Sequence, residues 1–238
     1  MDITSPSIPK ILNIQGREID FTPSGNLAPI KYSNDLSIMS VDFFLPSSDQ
    51  PIIFDEKMKK GHMIQFLKSV EFGQCDYFVF DTPPTTSPEF LTILKLFPRD
   101  MLRIILTTQP GGASSNSVKK SIQHIKATGV PITGIVTSMD GHTCPQCGHY
   151  DKIFPAPVSI KDIATKYNIP YLGRIELGWV STLRNGSSVI DMKKFTPIGD
   201  RIVSQKPVRF KPLKKKLNLW QKMRIAQSLD SGLNKNRM

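Results

Sequence analysis

Residues 76–107 read DYFVFDTPPTTSPEFLTILKLFPRDMLRIILT. Asp76 to Asp81 is a short continuous apolar run ending in an acid, the pattern of a strand buried on both faces of a parallel sheet. It stops at a turn containing Pro83 and Pro84. Ser87 is placed to cap a helix running through Phe90, Leu91, Ile93 and Leu94 to about Phe97, and Met101 to Thr107 is the next buried strand. Strand, helix and strand in this order form a βαβ unit. The alternation extends towards the C-terminus with a helix near Ser115 to Thr128, a strand from Ile132 to Ser138, a helix near Ile160 to Tyr167 and a strand from Tyr171 to Ile175. Towards the N-terminus a helix fits Gly61 to Val70, and Leu36 to Leu45 reads as a strand followed by a Pro-Ser-Ser-Asp turn. The class is α/β, with a mostly parallel sheet covered by helices on both faces. Ligands of such sheets bind beyond the carboxyl ends of the strands, so Asp81, Thr107 to Pro110 and Ser138 to Gly141 are expected on one rim.

With 238 residues, 39% of them hydrophobic, the chain can bury a substantial core. It has no uninterrupted apolar run long enough to span a bilayer, and its N-terminus has no basic segment leading into an apolar run, so a cytoplasmic protein is expected. The net charge of +11 is concentrated at one end: residues 206–238 hold ten Lys or Arg against Asp230 alone, leaving the remainder nearly neutral. Residues 1–204 are read as the α/β domain and 205–238 as a basic extension. Within that extension Gln205 to Lys216 is a Pro- and Lys-rich linker, and Leu219, Trp220, Met223 and Ala226 fall at helical spacing among basic residues. Such a helix suits nucleic acid or an anionic membrane, but a solvated extension or a helix docking on a partner protein is the preferred reading.

The chain has three cysteines, an odd and sparse count that argues against a disulfide framework. Cys144 and Cys147 lie in HTCPQCGH, where Pro145 stiffens the turn and Gly148 lets the chain leave it. Two thiolates on one turn grip one edge of a metal site, and a bound metal is favoured over unliganded thiols or a thioredoxin-like pair, which would open a helix. Either His142 and His149 complete a mononuclear zinc site, or two chains each supply two thiolates to a site on a two-fold axis, which suits a [4Fe-4S] cluster. Cys75 is read as a small core residue. His62 and His124, within helical segments, are given no role.

Six segments together resemble the Mrp/ApbC group of iron-sulfur cluster carriers, in the MinD/ParA superfamily of P-loop NTPases. They are DITSPSIPKIL (2–12), IMSVDFFLP (38–46), VEFGQCDYFVFDTPP (70–84), ILTTQP (105–110), GIVTSMDGHTCPQCG (134–148) and IPYLGRIEL (169–177). The resemblance extends from Asp2 to about Ile190. It implies a homodimer that carries a labile [4Fe-4S] cluster between its subunits and delivers it to recipient apoproteins. By that resemblance Cys144 and Cys147 are the cluster ligands.

The same resemblance assigns ATPase roles to two acids: Asp81 matches the residue that holds the Mg²⁺ shell and Asp2 the one that helps position the attacking water. The phosphate loop G-x-x-x-x-G-K-[ST], whose glycines admit phosphate to the backbone and whose Lys neutralises it, is absent, because none of the 15 glycines precedes a Lys. Gly111-Gly112 is read as a plain turn. Ser5 and Thr85 stand where the group has Gly, Pro88 where it has an acid, and Ser138 where it has the Asn that reads adenine. Mg-ATP is the second ligand that the resemblance implies, but hydrolysis by this polypeptide alone is unsupported. By the resemblance, the phosphate loop and the first, central strand of the sheet lie upstream of Asp2, so the sheet is expected to lack both. Its unpaired neighbours then call either for a separate polypeptide supplying the phosphate-loop half, a further expected partner, or for a truncated gene model. Two alternatives belong to other classes: a structural zinc module acting in protein interaction, and a positioning ATPase of the MinD/ParA type.

Overall fold

A computed structural model of the chain describes residues 1–2, 6–44, 56–83, 87–154, 158–178, 180–182 and 188–205. The amphipathic helix expected beyond Lys216 and the turn after Leu45 lie outside these residues. Two compact units are formed, the first holding Met1–Lys95 and the second Leu96–Val208.

The first unit contains α1 (Ile8–Ile11), an antiparallel pair of β1 (Ile30–Lys31) and β2 (Ser37–Ile38), a 3-10 turn over Val41–Phe44, α2 (Glu56–Ser69) and the start of α3 (Pro88–Leu96). The strand expected through Leu45 is cut short at Ser40, whose hydroxyl accepts the Asp42 N–H at 3.2 Å and tightens the chain into the 3-10 turn. Helix α2 runs past its expected start at Gly61, since a single exposed glycine costs a helix only about 1 kcal/mol. Helix α3 begins as expected: Pro88 occupies its first position and the Ser87 hydroxyl accepts the Phe90 N–H at 3.2 Å. Leu27, Met39, Val41, Phe66 and Val70 form the core, with the edge of one ring meeting the face of the other between Phe44 and Phe66.

Asp76 to Asp81 differs from its sequence reading. Phe78 and Phe80 face inward and stack edge-to-face in a row with Phe72, with centroids 4.4 and 4.6 Å apart. Tyr77 and Val79 are 46% and 71% exposed. The segment therefore alternates like a strand with one covered face, and apolar composition alone did not distinguish one covered face from two.

The second unit contains β3 (Ile104–Thr108), α4 (Gly112–Thr128), β4 (Ile132–Ser138), β5 (His142–Thr143), β6 (Tyr150–Asp151), α5 (Ile160–Lys166), β7 (Tyr171–Ile175), β8 (Val180–Thr182), β9 (Ser188–Ile190) and α6 (Met192–Val203). Its main sheet has the order β3-β4-β7, with every pairing parallel. Strand β4 is buried continuously from Thr133 to Thr137, as befits the central strand. Successive side chains serve opposite layers. Ile135 packs with Val118 and Ile122 of α4 and Ile163 of α5, whereas Val136 packs with Leu172, Ile175 and Ile198 of α6. The expected sheet covered by helices on both faces is thus present in this unit.

Helix α4 begins earlier than expected, at Gly112. Gly111 is its N-cap, at a φ of 131° that favours glycine. The pair read as a plain turn is therefore a helix start. Helix α5 opens on a capping box in which Ser159 and Asp162 satisfy each other's backbone N–H groups. No helix among the described residues is long and apolar enough to cross a membrane.

Candidate metal centre

At the carboxyl end of β4 the chain turns through Met139, at a φ of 55°, and passes the end of β7. The Asp140 N–H donates to Ile175 O at 3.0 Å, and Gly141 O accepts the Leu177 N–H at 2.9 Å. These bonds fix where the next segment leaves the sheet. Ser138 Oγ donates to Thr108 O at 3.4 Å, so Thr107 to Pro110 and Ser138 to Gly141 share one rim, while Asp81, expected on the same rim, belongs to the first unit.

From this rim rises a small antiparallel hairpin. Strands β5 and β6 pair His142 with Asp151 and Thr143 with Tyr150, and the Cys144 N–H extends the ladder to His149 O at 2.8 Å. Pro145, Gln146 and Cys147 make the turn, closed by the Gly148 N–H donating to Cys144 O at 2.9 Å. Gly148 sits at a φ of 72°, the left-handed conformation that the sequence anticipates for it. Cys144 is half-buried and Cys147 exposed, both as free thiols. The Cys144 thiol donates to Gln146 Oε1 at 3.1 Å, and the nearby backbone amides of Cys147 and Gln146, with the Cys147 side chain, hold its pKa below the ordinary thiol value. A lowered pKa favours the thiolate, the form that binds metal.

The hairpin supplies two sulfurs. His149 is turned to Asp151, 3.2 Å away on the surface, and His142 projects from β5 as an exposed residue. Among the described residues no group of three or more His, Cys, Asp or Glu side chains converges on a point where it could hold a metal ion. The thiol pair thus fits half of a four-ligand site. Cys75 is elsewhere, half-buried in the first unit, where burial and then the charge of Asp76 push its thiol pKa up.

Asp2 and Asp81 come together in the first unit as bridge partners, with Asp2 also bridged to Ser40. Asp2 is 1% exposed, and its Oδ2 accepts from the Ser7 N–H at 3.0 Å, the Ile8 N–H at 3.1 Å and the Ser40 hydroxyl at 3.1 Å. Its carboxylate thereby holds the first turn of α1. Asp81 reaches solvent, but desolvation of its carboxyl and then the Asp2 charge raise its pKa above the ordinary carboxylate value. Ionising Asp81 therefore costs the fold, a cost absent below the ordinary carboxylate pKa that develops as pH rises through the raised value. Asp81→Asn should stabilise the protein at neutral pH by less than about 1 kcal/mol, given the solvent access, and the gain should vanish at acidic pH. Urea titrations of both proteins across pH provide the check; a neutral or destabilising effect at pH 7 would contradict this electrostatic account.

With this geometry in place, comparison with known proteins identifies the chain. The model of the ParA family, described as NUBPL iron-transfer P-loop NTPase, matches residues 1–202. The chain belongs to this family. The match covers both units and the whole thiol hairpin, and agrees with the resemblance to Mrp/ApbC-type carriers. Among solved structures, a nucleotide-binding protein from Archaeoglobus fulgidus, in complex with ADP and with cobalt found by PIXE, is similar at a TM-score of 0.58 and 21% identity. The likeness covers 84% of this chain and 71% of that one, and establishes the P-loop NTPase-like α/β fold. This member of the ParA family nevertheless has no G-x-x-x-x-G-K-[ST] sequence among its 238 residues.

Sequence reading located the two cysteines but not what holds them. Tyr150, Arg174 and Gly141 surround the base of the hairpin, and they come from three separate elements. The only local signal was the glycine preceding His-Thr-Cys, whose need to lack a Cβ becomes visible once the chain is folded.

Proposed function

We propose that this protein carries a [4Fe-4S] cluster as cargo, bound between two copies by Cys144 and Cys147 of each, and passes it to recipient apoproteins. The observation that carries this reading is the surface hairpin whose turn brings Cys144 and Cys147 together, with no third ligand converging on them among the described residues. Two such pairs facing each other across a two-fold axis make the four thiolates that a cubane cluster takes. Delivery is then ligand exchange: each carrier iron–sulfur bond breaks as a recipient thiolate forms its own, and the released cysteine takes up a proton. A site on a surface turn favours such exchange. Membership in an iron-transfer family supports the same role, and three free thiols suit a cytoplasmic, reducing setting.

For Mg-ATP, the proposal is that a separate polypeptide contributes the phosphate loop. Support comes from the absence of any Gly-Lys pair and from β3, an edge strand among the described residues, whose Ile105 is exposed. In that arrangement Asp81 would act on the Mg²⁺ shell, and a cation would relieve the cost of its ionised carboxylate. The basic tail, residues 206–238, is assigned to contact with partner proteins.

Anaerobic reconstitution with ferrous iron and sulfide, read by metal analysis and native mass spectrometry, tests the carrier reading. The expected species is a dimer holding one [4Fe-4S] cluster. A monomer holding one zinc, with its binding dependent on His142 or His149, would overturn it in favour of a structural zinc module.

A further inference from the structure

Backbone bonds fix the segment entering the thiol hairpin to the sheet; the returning strand pairs with that segment, and a side chain ties it to the sheet. Tyr150, opposite Thr143, donates its hydroxyl hydrogen to Asp140 O at 2.6 Å. Its ring lies against the guanidinium of Arg174, with Cζ 4.0 Å from the ring centroid. Arg174 stands on β7 in register with Thr137 of β4, and Glu176 lies 3.6 Å from its guanidinium. Gly141 makes the seat. A Cβ there would lie 2.6 Å from the Tyr150 hydroxyl oxygen, 2.7 Å from its Cε2 and 2.4 Å from Asp151 O, at a backbone φ of 80°. Burial and then the Asp140 charge raise the Tyr150 pKa, keeping its hydroxyl protonated as the donor.

A hairpin of two residues per strand with an exposed turn does not hold its own geometry in water. The sheet must impose it. Through contacts of one side chain, Tyr150 joins the return strand both to the loop that ends β4 and to the neighbouring strand β7. We infer that Tyr150, seated on Arg174, is the positioning residue of the thiol pair, setting how Cys144 and Cys147 present their sulfurs to a metal. The inference rests on the metal-binding role proposed for the two cysteines. It further ties that pair to β7 and to the rim at Asp140, the end of the sheet where ligands of such folds bind.

Cobalt(II) is a suitable probe, because its absorption reports thiolate ligation directly. The full chain is titrated anaerobically with cobalt(II), and amide hydrogen exchange over residues 142–151 is followed in the metal-free protein. Tyr150→Leu should weaken cobalt binding roughly tenfold, as loss of a group supporting a metal ligand does, while the thermal midpoint stays near wild type. Exchange at the Cys144 and Gly148 amides should quicken by about tenfold. Tyr150→Phe, which keeps the ring on Arg174, should recover most of the affinity. Unchanged cobalt affinity in Tyr150→Leu, with or without faster exchange, overturns the proposal. Should that variant not fold, Arg174→Met decides: weaker binding supports the proposal, and wild-type affinity overturns it. Failure of the underlying reading looks different, since wild type and Cys144→Ser would then bind cobalt alike.

Discussion

Cys144→Ser should leave the protein unable to retain the proposed iron-sulfur cluster, with affinity lowered by more than about a hundredfold. Loss of a group that merely supports a metal ligand costs ten- to a hundredfold, and loss of the ligand itself costs more. A serine hydroxyl remains protonated at neutral pH and makes a poor substitute for the thiolate. The amide hydrogens of Cys147 and Gln146, which stabilise negative sulfur at position 144, would then face a neutral oxygen. In the proposed site shared by two copies, one substitution per chain would remove two of four ligands. Cys147→Ser should behave alike. Cys75→Ser should retain full iron and sulfide, because burial and Asp76 keep that thiol protonated and it belongs to the other unit. Iron and sulfide analysis after anaerobic reconstitution of the three variants is the measurement. Full loading of Cys144→Ser, or loss of loading in Cys75→Ser, would remove the hairpin from the proposed function.

The parts of the fold legible in the sequence are those whose cause is local. Ile132–Ser138 and Tyr171–Ile175 form strands within the limits read from the sequence, because each is a short apolar or β-branched run bounded by turn residues. Ser87 and Gly148 act as their chemistry announces, one at a helix start and the other at a left-handed turn. Misreadings occurred where the deciding contact was distant or competed with propensity. Val41 to Phe44 has strand-like composition, but the Ser40 hydroxyl captures the Asp42 amide and the chain curls. Asp76 to Asp81 has a buried strand's composition but only one covered face. Strands β5 and β6, two residues each, are too short to show a period, although they carry the site. The seat of Tyr150 on Arg174 joins residues 24 positions apart, which no sequence spacing reveals.

Asp2 illustrates how a residue assigned by resemblance to catalysis acquires a structural role that can be measured without nucleotide. Its backbone pairs with the segment Met39–Val41, with Asp2 N–H donating to Met39 O at 3.0 Å and Val41 N–H donating to Asp2 O at 3.0 Å, and is bridged on the other side to Asp81. The carboxylate accepts three further hydrogen bonds, two from the first turn of α1 and one from the Ser40 hydroxyl. Ala at this position removes the common acceptor of three donors, of which the Ser40 hydroxyl is buried and the Ser7 and Ile8 N–H groups partly so. Buried donors without partners cost about 1–3 kcal/mol each before relaxation, so Asp2→Ala should destabilise the protein by about 3 kcal/mol or more. Asp2→Asn retains an oxygen in the same place but gives up charge-assisted bonding, and its expected cost is smaller, about 1 kcal/mol. Urea denaturation of the nucleotide-free proteins separates the two roles. A residue whose task is confined to positioning a hydrolytic water leaves the unfolding midpoint untouched when replaced by Ala, whereas one that organises α1 against Ser40 lowers it in the order wild type, Asn, Ala. An unchanged midpoint in Asp2→Ala would mean that these three bonds contribute nothing net to the fold, and the assignment of Asp2 would return to catalysis alone.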